Sequence, residues 1–165
     1  MLPAAPGEEA FIGLGSNLGD RRATLERAFS AIAALPGTRE VARSSLYQSA
    51  PLQAGGGDYL NAVVEVRTTL APPALLQALQ AIETRFGRER PFANAPRTLD
   101  LDLLLYGTLQ CAGAGLVVPH PRLHERAFVL VPLAEIAPGV RVPGRGAVDA
   151  LLPAVAAQRI AKLDR

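Results

Sequence analysis

Apolar residues recur along this chain with two different periods. Residues 10–15 (AFIGLG) form a short run of small and apolar side chains that predicts a buried strand, and Ser16-Asn17-Leu18-Gly19-Asp20 then supplies helix-capping chemistry. Leu25, Ala28, Phe29, Ile32 and Leu35 follow at helical spacing, with Arg21, Arg22, Glu26 and Arg27 on the other side, until Pro36-Gly37 ends the helix. Residues 40–48 predict a strand, and residues 59–68 (YLNAVVEVRT) a stronger one, rich in β-branched side chains. Between them, the segment from Ser49 to Asp58 holds three consecutive glycines and reads as a loop. A second helix opens at Pro72-Pro73, carries Leu75, Leu79, Ile82 and Phe86 on one stripe, and stops at Gly87. The basic loop GRERPFANAPR leads into the clearest strand, residues 98–106 (TLDLDLLLY).

The order β-α-β-β-α-β predicts an α+β fold, a ferredoxin-like sandwich in which both helices pack on one face of an antiparallel sheet. Beyond Gly107 the pattern predicts a C-terminal extension: a hairpin, a Pro119-His120-Pro121 corner, a short helical run through Glu135 and a terminal helix over 147–157. There is no internal repeat and no low-complexity linker, so residues 1–165 are expected to form a single domain.

Composition narrows the function. The chain is 49% hydrophobic and 19% charged, too apolar for a disordered chain, yet no apolar stretch approaches the roughly 18–20 residues of a membrane helix. The N-terminal MLPAAPGEEAF lacks the basic start and apolar core of a secretory signal, and the lone Cys111 cannot form an internal disulfide; a cytoplasmic monomer is expected. Lys162 is the only lysine among 17 basic residues, so a Walker-type site with its Gly-Lys-Ser/Thr is absent. Any phosphate chemistry falls to arginine forks and metal ions. A net charge of +2 gives no strong nucleic-acid footprint.

In Leu99-Asp100-Leu101-Asp102-Leu103 the acids alternate with leucines, so on a strand both carboxylates leave one face, roughly 6–7 Å apart at the backbone. Such a pair needs counter-charge, either arginine or a divalent cation, and all-oxygen donors suit magnesium with phosphate oxygens. A solvated polar face on an edge strand is the plain alternative. Arg88, Arg90 and Arg97 stand just before the pair, as a polyphosphate with bound magnesium would require, although in so arginine-rich a chain they also suit an ordinary solvated loop. His120 and His124 lie among Arg122 and Arg126, with no third zinc ligand beside them, which favours phosphate contact over zinc. Tyr59 and Asn61 share a strand face beside the glycine-rich loop, a pairing suited either to a stacked, edge-bonded heterocycle or to simple core packing.

Taken together, GLGSNLGD, Ser-Ser-Leu-Tyr with Ser-Ala-Pro-Leu, DYLNAVVEV, ETRFGRER, PRTLDLDLLLYG and VPHPRLHERAFVLVPLAEIAP resemble the 6-hydroxymethyl-7,8-dihydropterin pyrophosphokinases, in family order over residues 11 to 138. The resemblance implies a folate-pathway enzyme that moves diphosphate from ATP to the pterin hydroxymethyl group and releases AMP, on a ferredoxin-like fold. It implies that Asp100 and Asp102 hold two magnesium ions, and that Arg88, Arg90 and Arg97 belong to a catalytic loop that clamps phosphates. ATP contacts are implied for Gln80, Glu83, Arg90, His120 and Arg126, with Glu83 also in a supporting position. Tyr59 and Phe128 would flank the pterin, and Asn61 with the backbone around Ser49, Ala50 and Leu52 would meet its edge. Many members carry an aromatic and a glycine just before PRTLDLD; here the loop reads Phe92-Ala93-Asn94-Ala95-Pro96, so that aromatic is missing or supplied by Phe92.

Two other classes compete. An RNA-binding module shares the element order but needs exposed aromatics on its central strands, and one of the candidate strands here offers Asp100 and Asp102 instead. A metal-dependent nucleotide-using transferase acting on another small alcohol keeps the acids but leaves Tyr59 and Asn61 without a purpose.

Overall fold

The computed structural model describes residues 7–16, 20–49, 59–87, 99–113 and 115–163. In chain order the first elements are β1 (Glu8–Ser16), α1 (Arg21–Ala33), β2 (Thr38–Arg43), β3 (Tyr47–Ser49), β4 (Tyr59–Thr68), α2 (Pro72–Gly87) and β5 (Asp100–Tyr106). There follow β6 (Cys111–Gly113), β7 (Leu116–Val118), α3 (Ala127–Ile136), β8 (Arg141–Val142), β9 (Gly146–Ala147), α4 (Val148–Leu151) and β10 (Ile160–Lys162).

Six of the strands make one antiparallel sheet in the order β10-β3-β4-β1-β5, with β2 beside β3 on the same edge of β4. This is the ferredoxin-like arrangement expected from the element order. Helix α1 starts where the capping pattern places it: Asp20 Oδ1 accepts the Ala23 N–H at 3.1 Å. Its Leu25, Phe29 and Ile32 join Leu75, Leu79 and Ile82 of α2 and Ile12 and Leu14 of β1 in a core on one face of the sheet. On the opposite face, α3 brings Leu130 and Leu133 onto Phe11, Val63, Leu104 and Leu105. The C-terminal extension therefore covers part of the second face.

Two expectations need correction. The strand expected over 40–48 is two strands, because the Ser44 side chain takes over part of the ladder. The Ser44 N–H still donates to the Val63 carbonyl at 2.9 Å, but the Val63 N–H donates to Ser44 Oγ at 2.9 Å instead of to a main-chain carbonyl. The terminal helix expected over 147–157 shrinks to α4, which tightens into a 3-10 turn over Leu152–Val155 around Pro153, a residue with no N–H to give. Strand β10 follows and closes the outer edge of β3.

β5 carries a bulge that matters for the site. Ile12 of β1 faces Leu103 and Phe11 faces Leu105, leaving Leu104 as the extra residue. Leu101 and Leu103 enter the α1/α2 core, whereas Leu104 and Leu105 both enter the α3 core. The strict alternation that sets Asp100 and Asp102 on the α3 side thus ends just after them.

Farther along that face, Phe11 is in register with Glu65 and Glu9 with Arg67. Burial first, and then the neighbouring Glu9 carboxylate, push the Glu65 carboxyl up from its ordinary 4.5 to about 7, against the pull of Arg67. Since the folded state holds this proton more tightly than the unfolded chain, the stability it confers is complete below pH 4.5 and is lost as pH rises through about 7. Glu65→Gln is therefore expected to flatten the fall in melting temperature between pH 5 and pH 8. Parallel thermal melts check this, and equal slopes for the two proteins would refute it.

Candidate active site

Two rows of side chains cross the sheet on its α3 face. Asn61, Gly15 and Asp100 are in register across β4, β1 and β5, and Val63, Gly13 and Asp102 form the next row. In-register residues of antiparallel strands share a face, so the central strand offers only hydrogen atoms between the two walls. The result is a trough floored by Gly15, with the Leu104 side chain lying over Gly13. Tyr59 and Asn61 line one side and Asp100 and Asp102 the other, about 10 Å apart across two strand spacings. Neither glycine has a positive φ, so space and not backbone conformation calls for them. A Cβ on Gly15 would stand 3.1 Å from Asn61 Nδ2, and one on Gly13 would touch the Leu104 methyls at 3.4 Å.

The acidic wall is fixed from outside. β5 is the edge strand, and the Leu101 N–H donates to Glu83 Oε2 of α2 at 2.8 Å. This bond ties the start of the strand to the helix. Gln80, one turn earlier, is exposed on α2.

The Leu104 carbonyl at the bulge accepts the His120 N–H at 3.0 Å, which pins the Pro119-His120-Pro121 corner beside the acids. His120 Nδ1 accepts the Arg122 N–H at 3.2 Å, so the neutral ring carries its proton on Nε2, and Nε2 stands 4.0 Å from Asp102 Oδ1. Burial above all, with Arg126 and Arg122 adding to it, holds this imidazole below its ordinary value despite Asp102. His120 also walls a cleft of about 340 Å³ that His124, Pro143 and Arg145 complete. Arg126 caps α3, with its guanidinium carbon 5.4 Å from the centre of the Phe128 ring and its buried Nε without a hydrogen-bond partner among the described residues. Stacking spends the guanidinium face but leaves a buried donor available to an anion.

A clasp between Tyr47 and Glu135, which the sequence pattern does not single out, also supports the site. Glu135 accepts from Tyr47 Oη at 2.7 Å and from Ser45 N and Oγ at 2.9 and 2.8 Å, while Lys162 Nζ stands at 3.6 Å from its other face. These bonds hold its carboxyl below the ordinary value even though burial acts the other way, and burial first, then the same contact, push the Tyr47 phenol up. The only sequence trace of this clasp is that Ser-Ser-Leu-Tyr and LAEIAP lie about 90 residues apart inside the resembling motifs.

The structure thus brings together Ser49, Tyr59, Asn61, Asp100, Asp102, His120, Arg126 and Phe128 on the α3 side. Arg88, Arg90, Arg97, Ala50 and Leu52 lie outside the described residues, as does Phe92. Among the described residues no cluster of three or more His, Cys, Asp and Glu side chains could by itself hold a metal. The donor set still suits magnesium, which takes one or two carboxylates and fills its shell with water and phosphate oxygens. No described helix is long and apolar enough to cross a membrane. The sheet face that an RNA-binding module leaves bare is covered here by α3 and edged with acids, so that alternative fails.

Comparison with known proteins agrees with this geometry. The chain is 46% identical over 143 residues to the 2-amino-4-hydroxy-6-hydroxymethyldihydropteridine pyrophosphokinase of Methylorubrum extorquens, covering 86% of this chain and 90% of that one. The identically named protein of Pseudomonas aeruginosa is 44% identical over 159 residues, covering 94% and 97%. In fold, the chain superposes on a crystal structure of Plasmodium falciparum HPPK-DHPS, wild type with pterin and p-hydroxybenzoate, with a TM-score of 0.73 at 14% identity. That match covers 90% of this chain and 43% of the other, so the chain spans under half of that longer protein. The family model for 7,8-dihydro-6-hydroxymethylpterin-pyrophosphokinase matches residues 11–138, and the chain belongs to that family.

Proposed function

We propose that this protein transfers diphosphate from ATP to the hydroxymethyl group of 6-hydroxymethyl-7,8-dihydropterin, giving AMP and the pterin diphosphate. The observation that carries the reading is the trough itself: an aromatic and an amide on β4 face two carboxylates on β5 across a stretch of β1 where Gly13 and Gly15 carry no side chain. A flat bicyclic ring fits such a floor, with Tyr59 and Phe128 against its faces and Asn61 at its edge. Its hydroxymethyl arm then reaches toward Asp100 and Asp102.

These two carboxylates would hold two magnesium ions carried in with ATP. Bound there, the ions would neutralise charge on the transferred phosphates and align them for in-line displacement. The pterin hydroxyl oxygen forms the new bond to the β-phosphorus, the bond from that phosphorus to the α,β-bridging oxygen breaks, and the hydroxyl proton is lost as AMP departs. The neutral His120 offers its Nε2–H to a phosphate oxygen beside Asp102, and Arg126 offers its buried Nε–H. Arg88, Arg90 and Arg97 supply further bidentate donors to the polyphosphate.

The purified protein given magnesium, ATP and 6-hydroxymethyl-7,8-dihydropterin is expected to produce AMP, with no ADP, and only when both the pterin and the metal are present. Chromatographic separation of the nucleotides checks this. ADP as product, or AMP without pterin, would overturn the assignment.

A further inference from the structure

We propose that Ser49 is a positioning residue that fixes which end of the Asn61 amide faces the trough, and so makes this point of the site a hydrogen-bond donor. The inference rests on the function proposed above and adds to it the chemistry of the ring edge that Asn61 meets. Ser49 and Asn61 are each only 5% exposed, and Ser49 Oγ donates to Asn61 Oδ1 at 2.6 Å. That separation belongs to O–H···O bonds; N–H···O bonds run about 2.7–3.2 Å, so the atom facing Ser49 is the amide oxygen. The amide nitrogen is then turned to the other side, where it stands over Gly15, 3.1 Å from where a Cβ would lie. An NH₂ group has only donors, so the ring edge docked there must present an acceptor, a carbonyl oxygen or an unprotonated ring nitrogen.

Ser49 is itself held firmly. It ends β3, whose Tyr47 hydroxyl is anchored on Glu135 at 2.7 Å, and it pairs with Ile160 of β10 on one side and Tyr59 on the other. Without the hydroxyl, the amide can turn over and offer its oxygen to the trough, which misplaces a donor that the ring acceptor needs.

The test is a double-mutant cycle on the active enzyme, reading kcat and the KM for each substrate in Ser49→Ala, Asn61→Ala and the double variant. Ser49→Ala is expected to raise the pterin KM about tenfold, the scale of one buried hydrogen bond, with the magnesium-ATP KM unchanged. The double variant is expected to be no worse than Asn61→Ala, and Ser49→Thr, which keeps the hydroxyl, to lie within about twofold of wild type. Asn61→Asp keeps the acceptor for Ser49 but has no N–H, and it is expected to bind pterin as poorly as Asn61→Ala. It provides a reading even if Ser49→Ala does not fold. Additive effects of the two alanines, or a wild-type pterin KM in Asn61→Asp, would overturn the role of Ser49. A wild-type enzyme that makes no AMP from pterin would instead overturn the function on which this rests.

Discussion

Asp100→Ala is expected to lower AMP formation about a thousandfold while leaving the protein folded. The magnitude follows from the several kcal/mol of transition-state stabilisation that metal-held phosphates supply, at 1.36 kcal/mol for each factor of ten. The fold should survive because Asp100 is only half-buried and opens β5 on the side away from the α1/α2 core, while Leu99, Leu101 and Leu103 next to it carry the packing. The Leu101 bond to Glu83 uses the main chain and is untouched by the substitution. Steady-state turnover and a thermal melt on the same sample separate the two effects. A melting temperature within about 2 °C of wild type together with lost turnover is the expected pair, since replacements outside the core change stability by roughly 0.5 kcal/mol. Undiminished turnover would show that the acids are only the polar face of an edge strand.

The second large effect is expected on the opposite principle, by adding atoms. Gly15→Val keeps a backbone conformation that any residue adopts and brings in a good strand former, yet its Cβ would already stand 3.1 Å from Asn61 Nδ2. Its two methyl groups would then project into the trough. Overpacking of this kind costs about 1–3 kcal/mol, so the pterin KM should rise between about fivefold and about 150-fold. The magnesium-ATP KM should change far less, because the acids lie on the neighbouring strand. A variant that bound pterin normally would mean that the ring does not lie over β1, and the trough would lose its meaning as a site.

Those two residues also show what could be read from the chain and what could not. The Leu-Asp alternation from Leu99 to Leu103 states its own geometry, because a strand has a period of two and each leucine must find a core. The run Leu103-Leu104-Leu105 is all apolar and states nothing about facing; only pairing with Phe11 and Ile12 shows that Leu104 is the extra one. Gly15 was legible as part of a small-residue strand but not as a floor, since a missing side chain means something only against neighbours such as Asn61 and Asp100. Ser44 interrupts its strand through a bond to Val63, and Glu83 and Glu135 support the site through Leu101, Ser45 and Tyr47. Each of these depends on a partner far away in sequence, and local pattern carries no record of it. The helical stripes on α1 and α2 and the Asp20 cap were legible because their causes lie within a few residues.

The bare central strand has a consequence for how the protein comes into being. β1 is made first, but Gly15 finds one register partner at Asn61 and the other at Asp100, and Ser49 receives its outer neighbour only at Ile160. No continuous stretch of the chain contains both walls without nearly everything between them. Long-range pairing of this kind slows folding relative to a helical bundle, because loop closure must precede the contacts that reward it. Until β4 and β5 arrive, Phe11, Ile12 and Leu14 sit on a strand with both edges unpaired, which makes the nascent chain a candidate for chaperone binding well before there is a site to protect.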